Sequence, residues 1–229
     1  MATSPSKPGF KDASRAQLSI LAPLEKRTLL WLAARMPPAV NSDHLTLLGF
    51  ISLIGAGLSY WYAHTDKFGL VLVIGFLILN WFGDSLDGTL ARYRQRQRPR
   101  YGFYVDHVVD MFGTFFLLGG LGLSGYMSFP LAMALVIAYF MLSIEVYLTT
   151  YTIGVFHLSF WKFSPTELRI LLAIGNIALL VRGGGAKIAG HQYLLFDVGG
   201  AVGLVGMAVM LVISTIKHTV QLYNEERLP

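Results

Sequence analysis

Between Asp84 and Asp110 the chain carries four aspartates, Asp84, Asp87, Asp106 and Asp110, with apolar sequence on either side. Asp84 and Asp87 are three residues apart and share a helix face, which Gly88 and Ala91 continue with almost no side-chain bulk. Gly102, Asp106 and Asp110 follow at intervals of four, again one stripe of one helix. Two helices that each offer a pair of carboxylates could converge on one or two divalent cations. A charged side chain within a bilayer costs roughly 2.5–3.5 kcal/mol, so four uncompensated aspartates would cost on the order of 10 kcal/mol. That is comparable to the stability of a whole domain. A hard cation with oxygen ligands, Mg²⁺ or Mn²⁺, would offset it, because the segment offers carboxylates and no thiols.

The surrounding elements must hold these acids at a membrane. Of the 229 residues, 54% are hydrophobic and 14% charged, against about 25% charged in ordinary globular chains. This predicts an all-α integral membrane protein built as one domain over residues 1–229, with no separate soluble unit. Residues 1–11 read as a disordered tail. Residues 12–36, kinked at Pro23, read as a juxtamembrane amphipathic helix with its cations toward anionic headgroups. A bundle of six transmembrane helices over 44–218 follows, with spans at about 44–64, 68–93, 101–124, 128–156, 165–181 and 196–218. Asn41 to Thr46 supplies capping residues before the first span.

An even number of spans puts both termini on one side. Of the 18 Lys and Arg, only Lys67, Arg182 and Lys187 fall in the opposite loops. That bias makes the termini and the aspartates cytoplasmic. The net charge of +5 sits in particular loops and reads as topology and lipid contact. No aromatic and basic interleaving suggests a nucleic acid partner. Cysteine is absent, which excludes a disulfide framework and thiolate metal sites.

The order D-x-x-D-G-x-x-A-R, nine residues, then G-x-x-x-D-x-x-x-D resembles the signature of the CDP-alcohol phosphotransferase family. Asp84, Asp87, Gly88, Ala91, Arg92, Gly102, Asp106 and Asp110 fill every fixed position. The resemblance implies transfer of a substituted phosphoryl group from a CDP-linked donor to an alcohol, with release of CMP, in phospholipid biosynthesis. It implies a homodimer as well. CDP-diacylglycerol donating a phosphatidyl group is the leading expectation. CDP-choline or CDP-ethanolamine donating to diacylglycerol uses the same motif and is the alternative. An ion-coupled transporter is the competing class, but it would place its acids near the midplane on broken helices. A catalytically dead scaffold would not need all four aspartates.

Within that frame Asp84, Asp87 and Asp106 are first-choice metal ligands, and Asp110 bridges or completes a second ion site. Two ions about 3.5–4 Å apart can serve both attacking and leaving oxygens. Asp110, one turn deeper than Asp106, is the family's proposed general base, which makes Asp106 and Asp110 the catalytic pair. Gly88, Ala91 and Gly102 would let the nucleotide lie against helix backbone, although Gly88 and Ala91 equally suit close helix packing. Arg92 would pair with the diphosphate or brace a carboxylate. Thr46 carries over as a nucleotide contact, or simply caps its helix.

Glu145, an acid inside a span, is a functional candidate by position, with Glu167 and Arg169 as the other acceptor-pocket candidates. Glu167 and Arg169 open the fifth span and would line an acceptor pocket, or serve as a cap and an interfacial cation. His107 reads as a helix-face residue beside the site, and Asn176 as helix–helix glue. The alternating Arg94, Arg96, Arg98 and Arg100 read as a solvated loop that sets topology. Glycines 183–185 read as a connector on the far side.

Overall fold

A computed structural model describes residues 22–153, 165–183, 185–188 and 191–227. Helices dominate it: α1 (Ala22–Ala33), α2 (Ser42–Ala63), α3 (Phe68–Tyr93), α4 (Pro99–Leu123), α5 (Phe129–Ile153), α6 (Pro165–Arg182) and α7 (Leu195–Glu225). Five of them, α2, α3, α4, α5 and α7, are long and apolar enough to cross a membrane. Among the described residues, five of the six expected spans thus meet this criterion. The exception is α6, which places Glu167, Arg169 and Arg182 within only 18 residues.

Helix boundaries follow local chemistry. Asn41 caps α2 by accepting the His44 N–H at 3.0 Å, while His44 Nδ1 accepts the Asn41 N–H at 3.3 Å. This is a capping box closed by an imidazole in place of the usual Glu or Gln. The described part of α1 begins at Ala22, next to Pro23. The expected tail and the start of the amphipathic segment lie outside the described residues, as does the end of the expected fourth span. Beyond the expected limit of the last span, α7 continues to Glu225, with Gln221 bonded to Glu225 on the following turn at 2.9 Å. The glycine-rich connector leads into a small antiparallel ribbon of β1 (Ala186–Ile188) and β2 (His191–Tyr193). Three-residue strands are too short to leave a periodic signal.

Packing centres on α2. Both α3 and α4 run along it and scarcely touch each other. Glycine makes the approach possible. A Cβ at Gly83 would stand 2.5 Å from Leu45 O and 2.6 Å from Gly49 N, and one at Gly120 would stand 1.9 Å from Gly57 O. Side chains of any size would force these helices apart. The main core gathers Ala56, Tyr60, Leu70, Val73, Leu121, Leu179 and Phe196. Inside it Asn176 Nδ2 donates to Tyr60 Oη at 3.0 Å, so Asn176 does join two helices, α6 and α2.

A second cluster docks α1 on the bundle through Leu29 and Ala33 against Leu45, Leu86 and Leu90. The outer side of α1 leaves Leu24, Leu30 and Trp31 exposed, with the Arg35 guanidinium 4.1 Å above the Trp31 ring. Two of the loop arginines are not simply solvated. Arg94 donates to the carbonyls of Met36, Pro37 and Val40, just past the C-terminus of α1, where a cation satisfies carbonyls that have no helical partner. Arg98 pairs with Asp43 and lies over the Tyr101 ring.

Candidate active site

The divergence of α3 and α4 around α2 opens a small cleft. Thr46 and Gly49 of α2 line its back, Asn80 and Asp84 of α3 one wall, and Val109 and Asp110 of α4 the other. The turn that reverses the chain between these walls holds Gln95 at φ 55°, a left-handed conformation uncommon outside glycine. Carboxylate oxygens of Asp84, Asp106 and Asp110 all lie within 4.8 Å of one another across the cleft. Each of the three is half-buried.

Like charges this close do not rest unaided. At an effective dielectric of about 20, two unit charges 4.8 Å apart repel by about 3.5 kcal/mol. Arg169 of α6 offsets part of this. Its guanidinium bonds Asp84 Oδ2, and its Nε donates to Asn80 Oδ1 at 2.7 Å. Asn80 Nδ2 in turn donates to Gly49 O at 2.9 Å. Thus α6, α3 and α2 meet at one buried amide. A divalent ion would add positive charge where these three acids meet. The donor set is all oxygen. Ligands on one Mg²⁺ are at most roughly 4.2 Å apart, so the cluster fits such an ion after small side-chain movements.

The remaining expected residues divide between this cluster and other positions. Asp87 stands beside the trio, an electrostatic neighbour of Asp84 and Asp106. Its Oδ2 accepts from Thr46 Oγ1 at 2.6 Å, and its carbonyl accepts from Ser42 Oγ at 3.1 Å. The three acids that lie within 4.8 Å of one another are Asp84, Asp106 and Asp110, with Asp87 next to them. Thr46, which lines the cleft, thus also holds Asp87.

Gly88 and Ala91 are half-buried on the same helix. Arg92, exposed at the end of α3, donates to Thr89 Oγ1 at 3.2 Å. Gly102 has open space where a Cβ would go, so packing within the protein does not require glycine there. Glu167 is half-buried in the first turn of α6. Glu145 belongs to a different constellation, bonded to His218 Nδ1 of α7 at 2.6 Å and to Thr149 Oγ1 at 3.1 Å. His107 turns its Nδ1 to Phe103 O at 2.6 Å and packs against the Phe103 and Tyr147 rings.

Sequence reasoning missed Asn80 as a partner in the site. Its signal was available, since a polar side chain inside an apolar run exactly one helical repeat of four before Asp84 shares that residue's face. Tyr139 and Tyr147 of α5, both electrostatic neighbours of Asp110, left no such mark.

The chain matches the family model for CDP-alcohol phosphatidyltransferase over residues 40–216, an interval that contains the cleft and every acid in it. It belongs to that family, and is accordingly a phosphotransferase of phospholipid biosynthesis embedded in a membrane. Members of the family act on a CDP-alcohol and generally depend on a divalent metal, which the acidic trio could hold. No curated protein matches the chain.

Proposed function

We propose that this protein is a metal-dependent phosphatidyltransferase that moves the phosphatidyl group of CDP-diacylglycerol to a polar alcohol or alcohol phosphate, releasing CMP. The observation that carries this reading is the meeting of Asp84, Asp106 and Asp110 across the α3–α4 cleft in a chain of this family. Mg²⁺ or Mn²⁺, held by these three with Asp87 beside them, would neutralise charge on the diphosphate; two ions suit the four acids.

Gly88, Ala91 and Gly102 present bare helix surface to the nucleotide, and Arg92 faces its phosphates. Asp110 accepts the proton of the acceptor hydroxyl as that oxygen bonds phosphorus and the bond to CMP breaks. The acceptor enters from the first turn of α6, past Glu167 and Arg169. Glu145 serves that side indirectly, by fixing α5 to α7.

In this reading residues 44–218 form one membrane domain. Charged though it is, α6 supplies a sixth crossing, and α1 lies in the cytoplasmic interface. Both termini and the cleft face the cytoplasm, a placement that the distribution of Lys and Arg supports, and two copies associate.

The test is CMP release by purified protein in detergent, with CDP-diacylglycerol, CDP-choline and CDP-ethanolamine each offered a panel of acceptors. Activity is expected with CDP-diacylglycerol in Mg²⁺ or Mn²⁺, falling at least 100-fold on chelation. Turnover that survives chelation, or none with any donor, would reject the reading. Activity confined to CDP-choline or CDP-ethanolamine with diacylglycerol would instead establish the opposite direction of lipid use.

Gly102→Ala probes the nucleotide face separately. With open space at this position and alanine favoured over glycine in a helix by about 1 kcal/mol, the fold should melt no lower than wild type. The KM for the donor should rise about tenfold. An unchanged KM would remove Gly102 from the nucleotide contacts.

A further inference from the structure

Glu25 is the acid of the otherwise basic α1, half-buried, with its carboxylate turned to the bundle. Its Oε1 accepts from Trp81 Nε1 at 3.0 Å and Ser85 Oγ at 3.3 Å, both on α3, and from Thr166 Oγ1 on α6 at 2.7 Å. One carboxylate oxygen thus draws together three helices, through hydrogen bonds of the stronger, charge-assisted kind.

The register of these contacts matters. Trp81 and Ser85 form one i, i+4 stripe of α3. Asn80 and Asp84 form the adjacent stripe, one residue around. On α6, Thr166 and Arg169 are three apart and share a face. So α6 lies on α3 by two polar rungs: Thr166 through Glu25 to Trp81 and Ser85, and Arg169 to Asn80 and Asp84. The second rung holds the Asp84 carboxylate by its Oδ2, through Arg169. The first rung sets where Arg169 stands.

We infer that Glu25 is a positioning residue for the acidic cluster, acting from the interfacial helix through α6 and Arg169. Removing it frees the first turn of α6 to slide along α3, and Arg169 then holds Asp84 less firmly. Cation affinity falls as a result, although Glu25 never touches the ion. This rests on the metal-binding role proposed above for Asp84, Asp106 and Asp110.

The experiment is a Mn²⁺ titration followed by electron paramagnetic resonance on the purified full-length protein, with CMP release measured alongside. Glu25→Ala is expected to weaken Mn²⁺ binding five- to tenfold and to raise the Mn²⁺ concentration for half-maximal activity by the same factor. At saturating Mn²⁺, kcat should stay within about threefold of wild type. Glu25→Gln keeps an acceptor oxygen and should recover most of the affinity, and it remains informative if the alanine variant folds poorly. Leu29→Ala, which loosens the same helix through its apolar contact, should lower the melting temperature and leave Mn²⁺ affinity unchanged. The inference is overturned if Glu25→Ala binds Mn²⁺ within twofold of wild type, or if Leu29→Ala weakens binding as much. Wild-type protein that neither binds Mn²⁺ nor releases CMP would overturn the functional reading as well, so the two failures are distinguishable.

Discussion

Asp110→Asn should lower CMP release at least 1,000-fold while CDP binding stays within about threefold of wild type. The substitution preserves shape and hydrogen bonding on one side and removes the proton acceptor. Loss of a positioned general base costs about 10²–10⁴ in rate. Asp110 also belongs to the trio of carboxylates within 4.8 Å, so a weakened ion site would lower the rate too. The two contributions respond differently to concentration. Activity lost through weak ion binding returns when Mg²⁺ is raised, whereas activity lost with the base does not. A variant that keeps more than about 1% of turnover, or recovers it in excess metal, would remove Asp110 from the base role and leave it a ligand.

A second large effect is expected from a change that touches no acid. Gly83→Ala places a Cβ 2.5 Å from Leu45 O and 2.6 Å from Gly49 N, against rigid backbone that cannot rotate away. Overpacking of this kind costs about 1–3 kcal/mol, and α2 and α3 must separate to relieve it. Asp84 is the next residue, and the Asn80 bond to Gly49 O spans the same gap, so separation moves both. The protein should melt several degrees lower in detergent and lose nearly all activity even at saturating metal. Wild-type stability in Gly83→Ala would mean that the two helices do not approach this closely in the membrane.

These two cases mark what the sequence could reveal. Long apolar runs announced the helices, and the limits expected for α2, α3 and α4 lie within about two residues of those observed. Fixed spacing placed Asp84 and Asp87 on one helix and Asp106 and Asp110 on another. Spacing defines a face on its own helix but not the angle at which two helices present their faces. Because α3 and α4 diverge around α2, Asp84, Asp106 and Asp110 come within 4.8 Å of one another, while Asp87 beside them accepts from Thr46. Contacts between distant residues were equally invisible: Arg94 reaching back to the end of α1, Glu25 reaching Thr166, and Arg169 spent on Asp84 and Asn80. A charged residue in a list of loop or cap positions carries no mark of the partner it will find. The charge content that made α6 a weak span comes partly from Arg169, which serves the cleft.

The bond between Glu145 and His218, with Thr149 beside them, bears on how the last helix is set in place. Most of α7 is uniformly apolar and rests on α5, so oily side chains alone would accept many azimuths about its axis. Turning α7 by one residue, about 100°, would carry His218 away from Glu145 and Thr149 and break the bonds that join them. The pair therefore acts as a key, favouring the azimuth of the final segment at which the imidazole meets its carboxylate.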